Sequence, residues 1–153
     1  MRLIDYIDPG CVGIGQGARD KESALRLMVD LVAKGGLVDS QESLMTALKQ
    51  REEVVSTGIG NSVAIPHADL PAIKEPRLAV GVFPDGVDFD ALDEEPVYVV
   101  FLLLGTPRTP GLHMKILARI ARLSKDNEFA SGLRRAAGAD DVLETLRRLE
   151  AKH

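Results

Sequence analysis

Three side chains in this sequence have types and settings suited to handling an anion: His67, His113 and Arg51. His67 follows Pro66 in the stretch "STGIGNSVAIPHADLP", behind a glycine-broken loop and the short apolar run Val63–Ile65. Proline fixes its own φ and removes a backbone donor, so the chain is stiff where this imidazole leaves it. A ring placed there is aimed by the backbone instead of waving on a flexible tip. The stretch alone fits equally well a partly buried histidine bonded to a neighbouring carbonyl, because short motifs also arise by chance. His113 opens a helical segment after "TPRTPG" and falls on the same side as Ile116, Leu117 and Ile120. Taken alone, it reads as a water-exposed neighbour of a helix N-cap. Arg51 offers a planar, permanently charged fork for phosphate oxygens, or else is a solvated arginine at a helix end. Two imidazoles converging beside a helix N-terminus suit an anion, since free N–H groups and the helix dipole attract negative charge there.

Other motifs carry less. "GIGQG" at Gly13–Gly17 lacks the third glycine of a dinucleotide loop, because Ala18 stands in its place, and it reads as a strand end feeding a helix. "GIGNS" at Gly58–Ser62 lacks the lysine of a phosphate-cradling loop and reads as a turn that lets backbone come close to something. The acidic residues Asp85, Asp88, Asp90, Asp93, Glu94 and Glu95 fit no calcium-loop spacing and read as a solvated loop. His153, at the terminus, is expected to be disordered and without function.

The elements that must position the three residues follow from periodicity. "KESALRLMVDLVAKGG" has helical spacing at Leu25, Val29 and Val32, with Gly35-Gly36 as a left-handed stop. "DSQESLMTALKQREE" predicts a second helix, with Asp39 as N-cap, Glu42 three residues on, and Arg51 at its frayed end. The period then changes to three strands, "SVAIP", "RLAVGVFP" and "VYVVFLLL", the last apolar throughout and so covered on both faces. No connection between them reads as a crossover helix, which predicts antiparallel succession. That up-down-up order puts His67, at the start of the loop after "SVAIP", at the same sheet end as His113. Three helices close the chain: "LHMKILARIARLSKD", "NEFASGLRRAA", and "ADDVLETLRRLEAK" with Asp140 as N-cap. The fold class expected is α/β, a single domain over residues 1–153 with a mixed β-sheet flanked by helices on both faces.

Bulk properties bound the function. With 153 residues the chain buries roughly 70% of its unfolded surface as one domain. A net charge of -4, an aromatic content of 4% and no Trp give neither the basic field nor the stacking surface that nucleic-acid binding needs. Cys11 is the single cysteine, which excludes an internal disulfide and fits a reducing compartment. Asp5 and Asp8 interrupt any signal-peptide core, and the apolar run Val97–Gly105 is far short of the ~20 residues a membrane helix needs. A cytoplasmic protein without direct membrane insertion is expected.

Three separated segments, "REEVVSTGIGNSVAIPH", "VDFDALDEEPVYVVFLLLGTP" and "LHMKILARIARL", closely resemble the fructose/mannitol-type enzyme IIA domain of the bacterial phosphotransferase system (PTS), a family that includes nitrogen-regulatory paralogues. The resemblance runs from about Leu3 to the last helix. It implies that His67 carries a phosphoryl group, and that His113 and Arg51 stabilise it. The implied donor is the histidine phosphocarrier protein and the implied acceptor an enzyme IIB domain, met in trans because the sequence contains no IIB or membrane segment. Asp69 departs from the pattern, standing where many relatives carry a basic or small residue, and Met114 replaces a common leucine. The chemistry is independently reasonable. A neutral imidazole is a nucleophile at pH 7 without a separate base, and phosphoryl transfer needs positioning and charge stabilisation more than covalent machinery. No cofactor or metal is required. The readings open at this point are a phosphohistidine carrier in sugar uptake, a nitrogen-regulatory IIA paralogue, a metal-dependent hydrolase using His67, His113 and Asp69, and a binding module without chemistry.

Overall fold

Strand β6 (Val97–Gly105) is the element around which the chain folds, and its composition explains why. Val99 to Leu104 are completely buried, and their side chains alternate between two apolar cores. Val100, Leu102 and Leu104 pack with helices α1 (Lys21–Lys34) and α2 (Gln41–Val54) on one face. Val99, Phe101 and Leu103 pack with α3 (Pro110–Leu123), α4 (Asn127–Arg134) and α5 (Ala139–Ala151) on the other. A strand buried on both faces reads as a continuous apolar run, as this one does. The computed structural model describes residues 1–153 and gives the expected helix–sheet–helix layering around a mixed sheet.

The remaining strands are β1 (Ile7–Ile14), β2 (Gly58–Gly60), β3 (Val63–Ala64), β4 (His67–Asp69) and β5 (Arg77–Val87), in the order β1-β5-β6-β3-β2, with β4 also paired to β6. Strand β5 runs antiparallel to β6, while β3 and β4 run parallel to it, so the expected up-down-up order holds. Its physical form differs from simple succession: β3 does not neighbour β5, and the chain passes over the end of β6 between them. Edge strand β1 tolerates Pro9 and a register shift between Ile7 and Val12. "GIGQG" is the end of β1 turning toward α1, with Gly17 at φ 83°. In "GIGNS", Gly58–Gly60 form β2 and Asn61-Ser62 make the hairpin turn at φ 56° and 64°. A Cβ on Gly58 would lie 2.8 Å from Ala91 Cα, so this glycine permits the close backbone approach.

Several local expectations are corrected. Ser40, not Asp39, caps α2, because its side chain accepts from Ser43 N. Gly138, not Asp140, precedes α5, and Asp141 reaches back to accept from Ala137 N. Helix α3 starts at Pro110, two residues before Leu112, using a proline where no N–H is needed. His153 is tied down by Asp126, with Nε2 2.9 Å from Oδ2. Cys11 is fully buried against Gly35, and burial followed by the nearby Asp8 charge pushes its thiol up to about 11, which leaves it a packing residue. No helix is long and apolar enough to cross a membrane.

One buried carboxylate closes the chain's two ends together. Glu150 of α5 accepts from Leu3 N at 3.0 Å, Ile4 N at 3.3 Å and Arg119 Nε at 3.2 Å. These bonds fasten the 3-10 turn Leu3–Asp5 to α5 and α3. Removing one partner of such a group strands the others, so Glu150→Ala is expected to cost about 3 kcal/mol. Urea unfolding checks this through a lower midpoint at unchanged slope.

Candidate functional site

The strand parity of β3 and β4 aims the site. Val63 and Ile65 contribute to the core beneath α3, α4 and α5, and His67 and Asp69 continue the same face. The pairing keeps one register through Pro66: Val63 opposite Val99, Ala64 opposite Val100, His67 opposite Leu103, Ala68 opposite Leu104 and Asp69 opposite Gly105. Leu103 N donates to Pro66 O at 2.9 Å, so the proline sits within the ladder. His67 is therefore strand residue, not the first residue of a loop as expected from sequence. The missing N–H of Pro66 falls on the β6 side, the side on which its carbonyl accepts from Leu103 N, so the proline leaves one bond out of this ladder between β3 and β4.

The bonds to the His67 ring define its tautomer. Nδ1 lies 2.9 Å from Ile65 O, an acceptor only, so Nδ1 carries the proton. Nε2 then presents its lone pair, and Arg51 Nε–H donates to it at 3.4 Å. Arg51 lies within the last turn of α2, still helical, and its Nη1 donates to Val55 O at 3.0 Å. The next residue, Glu52, was not singled out from sequence. It is buried, accepts from Thr57 N at 3.0 Å and Thr57 Oγ1 at 2.6 Å, and pairs with Lys21 Nζ at 3.3 Å. Thr57 O in turn accepts from Ile65 N at 2.9 Å. A single buried carboxylate thus couples the helix end that holds Arg51 to the strand that holds His67.

His113 joins them from α3. Its ring centroid is 5.2 Å from that of His67 and the planes are inclined at 75°. Its side chain is only 14% exposed, so it points inward, against the exposed alternative. Burial first, and then the neighbouring His67, hold its pKa below the ordinary imidazole value, while Asp69 pulls the other way. His113 Nδ1 stands 3.7 Å from Asp69 Oδ1. Both groups occupy space that Gly105 leaves empty: a Cβ there would meet His113 Nδ1 at 2.5 Å and Asp69 Oδ1 at 2.6 Å. Gly105 was also missed in the sequence, where it reads only as the end of an apolar run. The start of α3 has no side-chain cap, and Thr109 Oγ1 is buried without a partner. His67, His113 and Arg51 thus come together at the C-terminal end of β6, where open α/β sheets place their sites. Ile65, Met114, Leu117 and Ala121 form an apolar flank beside them, Met114 being exposed. No three His, Cys, Asp or Glu side chains are placed to hold a metal ion.

Comparison with known proteins agrees with this architecture. The family model described as "Phosphoenolpyruvate-dependent sugar phosphotransferase system, EIIA 2" matches residues 5–149. The PTS system fructose-specific EIIABC component of Bacillus subtilis is 28% identical over 95% of this chain, which spans 23% of that longer protein. A nitrogen regulatory protein of Bradyrhizobium diazoefficiens is 32% identical over 95% of each chain. The crystal structure of nitrogen regulatory protein IIA-Ntr from Neisseria meningitidis matches with a TM-score of 0.83 at 25% identity, covering 94% of this chain and 98% of that one. The matched model covers nearly the whole fold, both ends of the sheet included, and the chain belongs to the EIIA 2 family of the phosphoenolpyruvate-dependent sugar phosphotransferase system.

Proposed function

We propose that residues 1–153 form one EIIA domain that takes a phosphoryl group on His67 Nε2 from the histidine phosphocarrier protein and passes it to an enzyme IIB domain during sugar uptake. The observation that carries this reading is the state of the His67 ring. Its Nδ1–H is held by Ile65 O, and Nε2 carries the free lone pair toward Arg51. In the step, the donor's N–P bond breaks as Nε2 bonds phosphorus, and the electron pair returns to the donor's imidazole. No proton has to leave His67, because Nδ1–H remains on Ile65 O while positive charge spreads over the ring. The Arg51 bond to Nε2 must open, and its guanidinium then faces phosphoryl oxygens. His113 supplies a second donor. On this reading the protein acts in the cytoplasm and uses no cofactor.

A nitrogen-regulatory role is the second reading, favoured by the 0.83 TM-score to IIA-Ntr and the full-length match to a nitrogen regulatory protein. The two differ in the fate of the phosphate. Phosphorylated protein mixed with a fructose-type IIB domain loses its label rapidly in the first case and retains it in the second. The metal-dependent hydrolase has little support, since His67, His113 and Asp69 do not form a group placed to hold an ion.

The acceptor assignment is tested with pre-phosphorylated carrier protein as donor, in excess chelator. One acid-labile, alkali-stable phosphoryl group per chain is expected, and none on His67→Ala; full labelling of that variant overturns the assignment. Gly105→Ala probes the space shared by His113 and Asp69. It should fold with a loss of roughly 1–3 kcal/mol from overpacking and accept phosphate roughly 10- to 100-fold more slowly, because His113 is displaced. A wild-type rate would remove His113 from the mechanism.

A further inference from the structure

Asp69 is the residue that departs from expectation, and the structure gives it a definite neighbour. Its backbone is fixed by the ladder to β6, opposite Gly105, and Leu70 N donates to Gly105 O at 3.0 Å. Its carboxylate makes no hydrogen bond, and the cationic partner within ion-pair distance of it is His113, with Nδ1 3.7 Å from Oδ1. That separation is too long for a resting hydrogen bond and right for an ion pair once the ring is charged. The absent side chain of Gly105 is what lets the two share this space. The imidazole is largely buried while the carboxylate is half exposed, at 14% and 52%. A charged His113 therefore gives up water, and Asp69 is the group facing it that offsets the loss.

We propose that Asp69 is a positioning residue for His113: it keeps the ring proton on Nδ1 and pairs with the imidazolium, so that Nε2–H is the donor offered to a phosphoryl group on His67. This rests on the reading of His67 as the phosphoryl acceptor. The groups facing His113 from packed elements are His67 and Asp69, both on β4. Arg51 of α2 meets His67 instead, and Arg108 and Lys115, beside His113 in its own segment, are exposed. Asp69 also repels the incoming phosphoryl charge, so two effects compete. The ion pair is the shorter and drier contact, whereas the repulsion acts from a half-exposed carboxylate through solvent and is screened. The pairing prevails.

The sign follows directly. Asp69 favours protonated His113, so its removal lowers the titration midpoint of that ring. Phosphate acceptance that uses the charged ring then fails at lower pH as pH rises. The test is ring-nitrogen NMR of His113 in the unphosphorylated protein, with acceptance from pre-phosphorylated carrier measured across pH, for wild type, Asp69→Asn and Asp69→Glu. Expected are an Nδ1–H tautomer in wild type, a midpoint about one pH unit lower in Asp69→Asn, a parallel shift of the alkaline limb of acceptance, and recovery of both in Asp69→Glu. An unchanged tautomer and midpoint in Asp69→Asn overturn the proposal, including when acceptance falls uniformly at all pH, the signature of a partner-docking role. The NMR arm stands without any phosphoryl transfer, so failure to label His67 in wild type refutes the acceptor assignment separately from the role of Asp69 toward the His113 ring.

Discussion

Parallel pairing of Val63–Asp69 along β6 is the constraint on which the rest of the site depends. Parallel ladders are satisfied only when both strands are covered, and here the cover comes from two helical layers whose cores meet on opposite faces of β6. Because side chains alternate, a single register settles four things together. Val63 and Ile65 are buried beneath α3, and His67 and Asp69 emerge beyond them on the same face. A one-residue slip would turn both polar groups toward the other core and bring Ala68 to the surface. The apolar half of the run thus holds the polar half in place, and Pro66 stiffens the junction with the loss of one N–H to β6, while its carbonyl keeps the ladder through Leu103 N.

Buried carboxylates supply the second level of order. Glu52 and Glu150 each join elements far apart in sequence by accepting backbone N–H groups together with a cationic partner. Such groups add little net stability over a well-packed apolar substitute, but they are costly to leave half-satisfied. Their value is geometric. Glu52 keeps the last turn of α2 against the Thr57 loop, so Arg51 reaches His67 from a fixed base. Glu150 closes the layer behind α3, the helix that brings His113.

These two ties also mark where sequence reading stops. Helices, the three inner strands, the two-faced burial of β6 and the convergence of His67 and His113 were legible, because each follows from periodicity or from the direction of successive strands, whereas Arg51 joined them only through the family resemblance. The β4 ladder was not, since a proline normally argues against strand, and local rules do not show that the Pro66 carbonyl still accepts from Leu103 N and carries the pairing past it. Asp39 and Ser40 are both good caps, and only the backbone decides that Ser40 bonds Ser43 N. Glu52 looks in sequence like any acid near a helix end; its burial depends on Lys21 and Thr57 arriving from elsewhere. Gly105 is hidden for the same reason, because the side chains it makes room for come from Asp69 and His113, on either side of it in the chain.

The arrangement around His67 balances availability against protection. A nucleophile with a bare lone pair in a partly apolar groove would be poorly solvated at rest, and a firmly bonded one would be slow to react. Arg51 Nε meets Nε2 at 3.4 Å, a long bond that occupies the lone pair without holding it tightly. The bond to Ile65 O is short, at 2.9 Å, and lies on Nδ1, the nitrogen that the proposed transfer leaves untouched. Orientation is therefore assigned to one side of the ring and reactivity to the other. On the proposed function, the cation that guards the lone pair is the same group that gains most when phosphate arrives, because a guanidinium prefers two anionic oxygens to one neutral nitrogen. Opening the resting bond and stabilising the phosphoryl group would then be one movement of Arg51, driven by the charge of the incoming group itself.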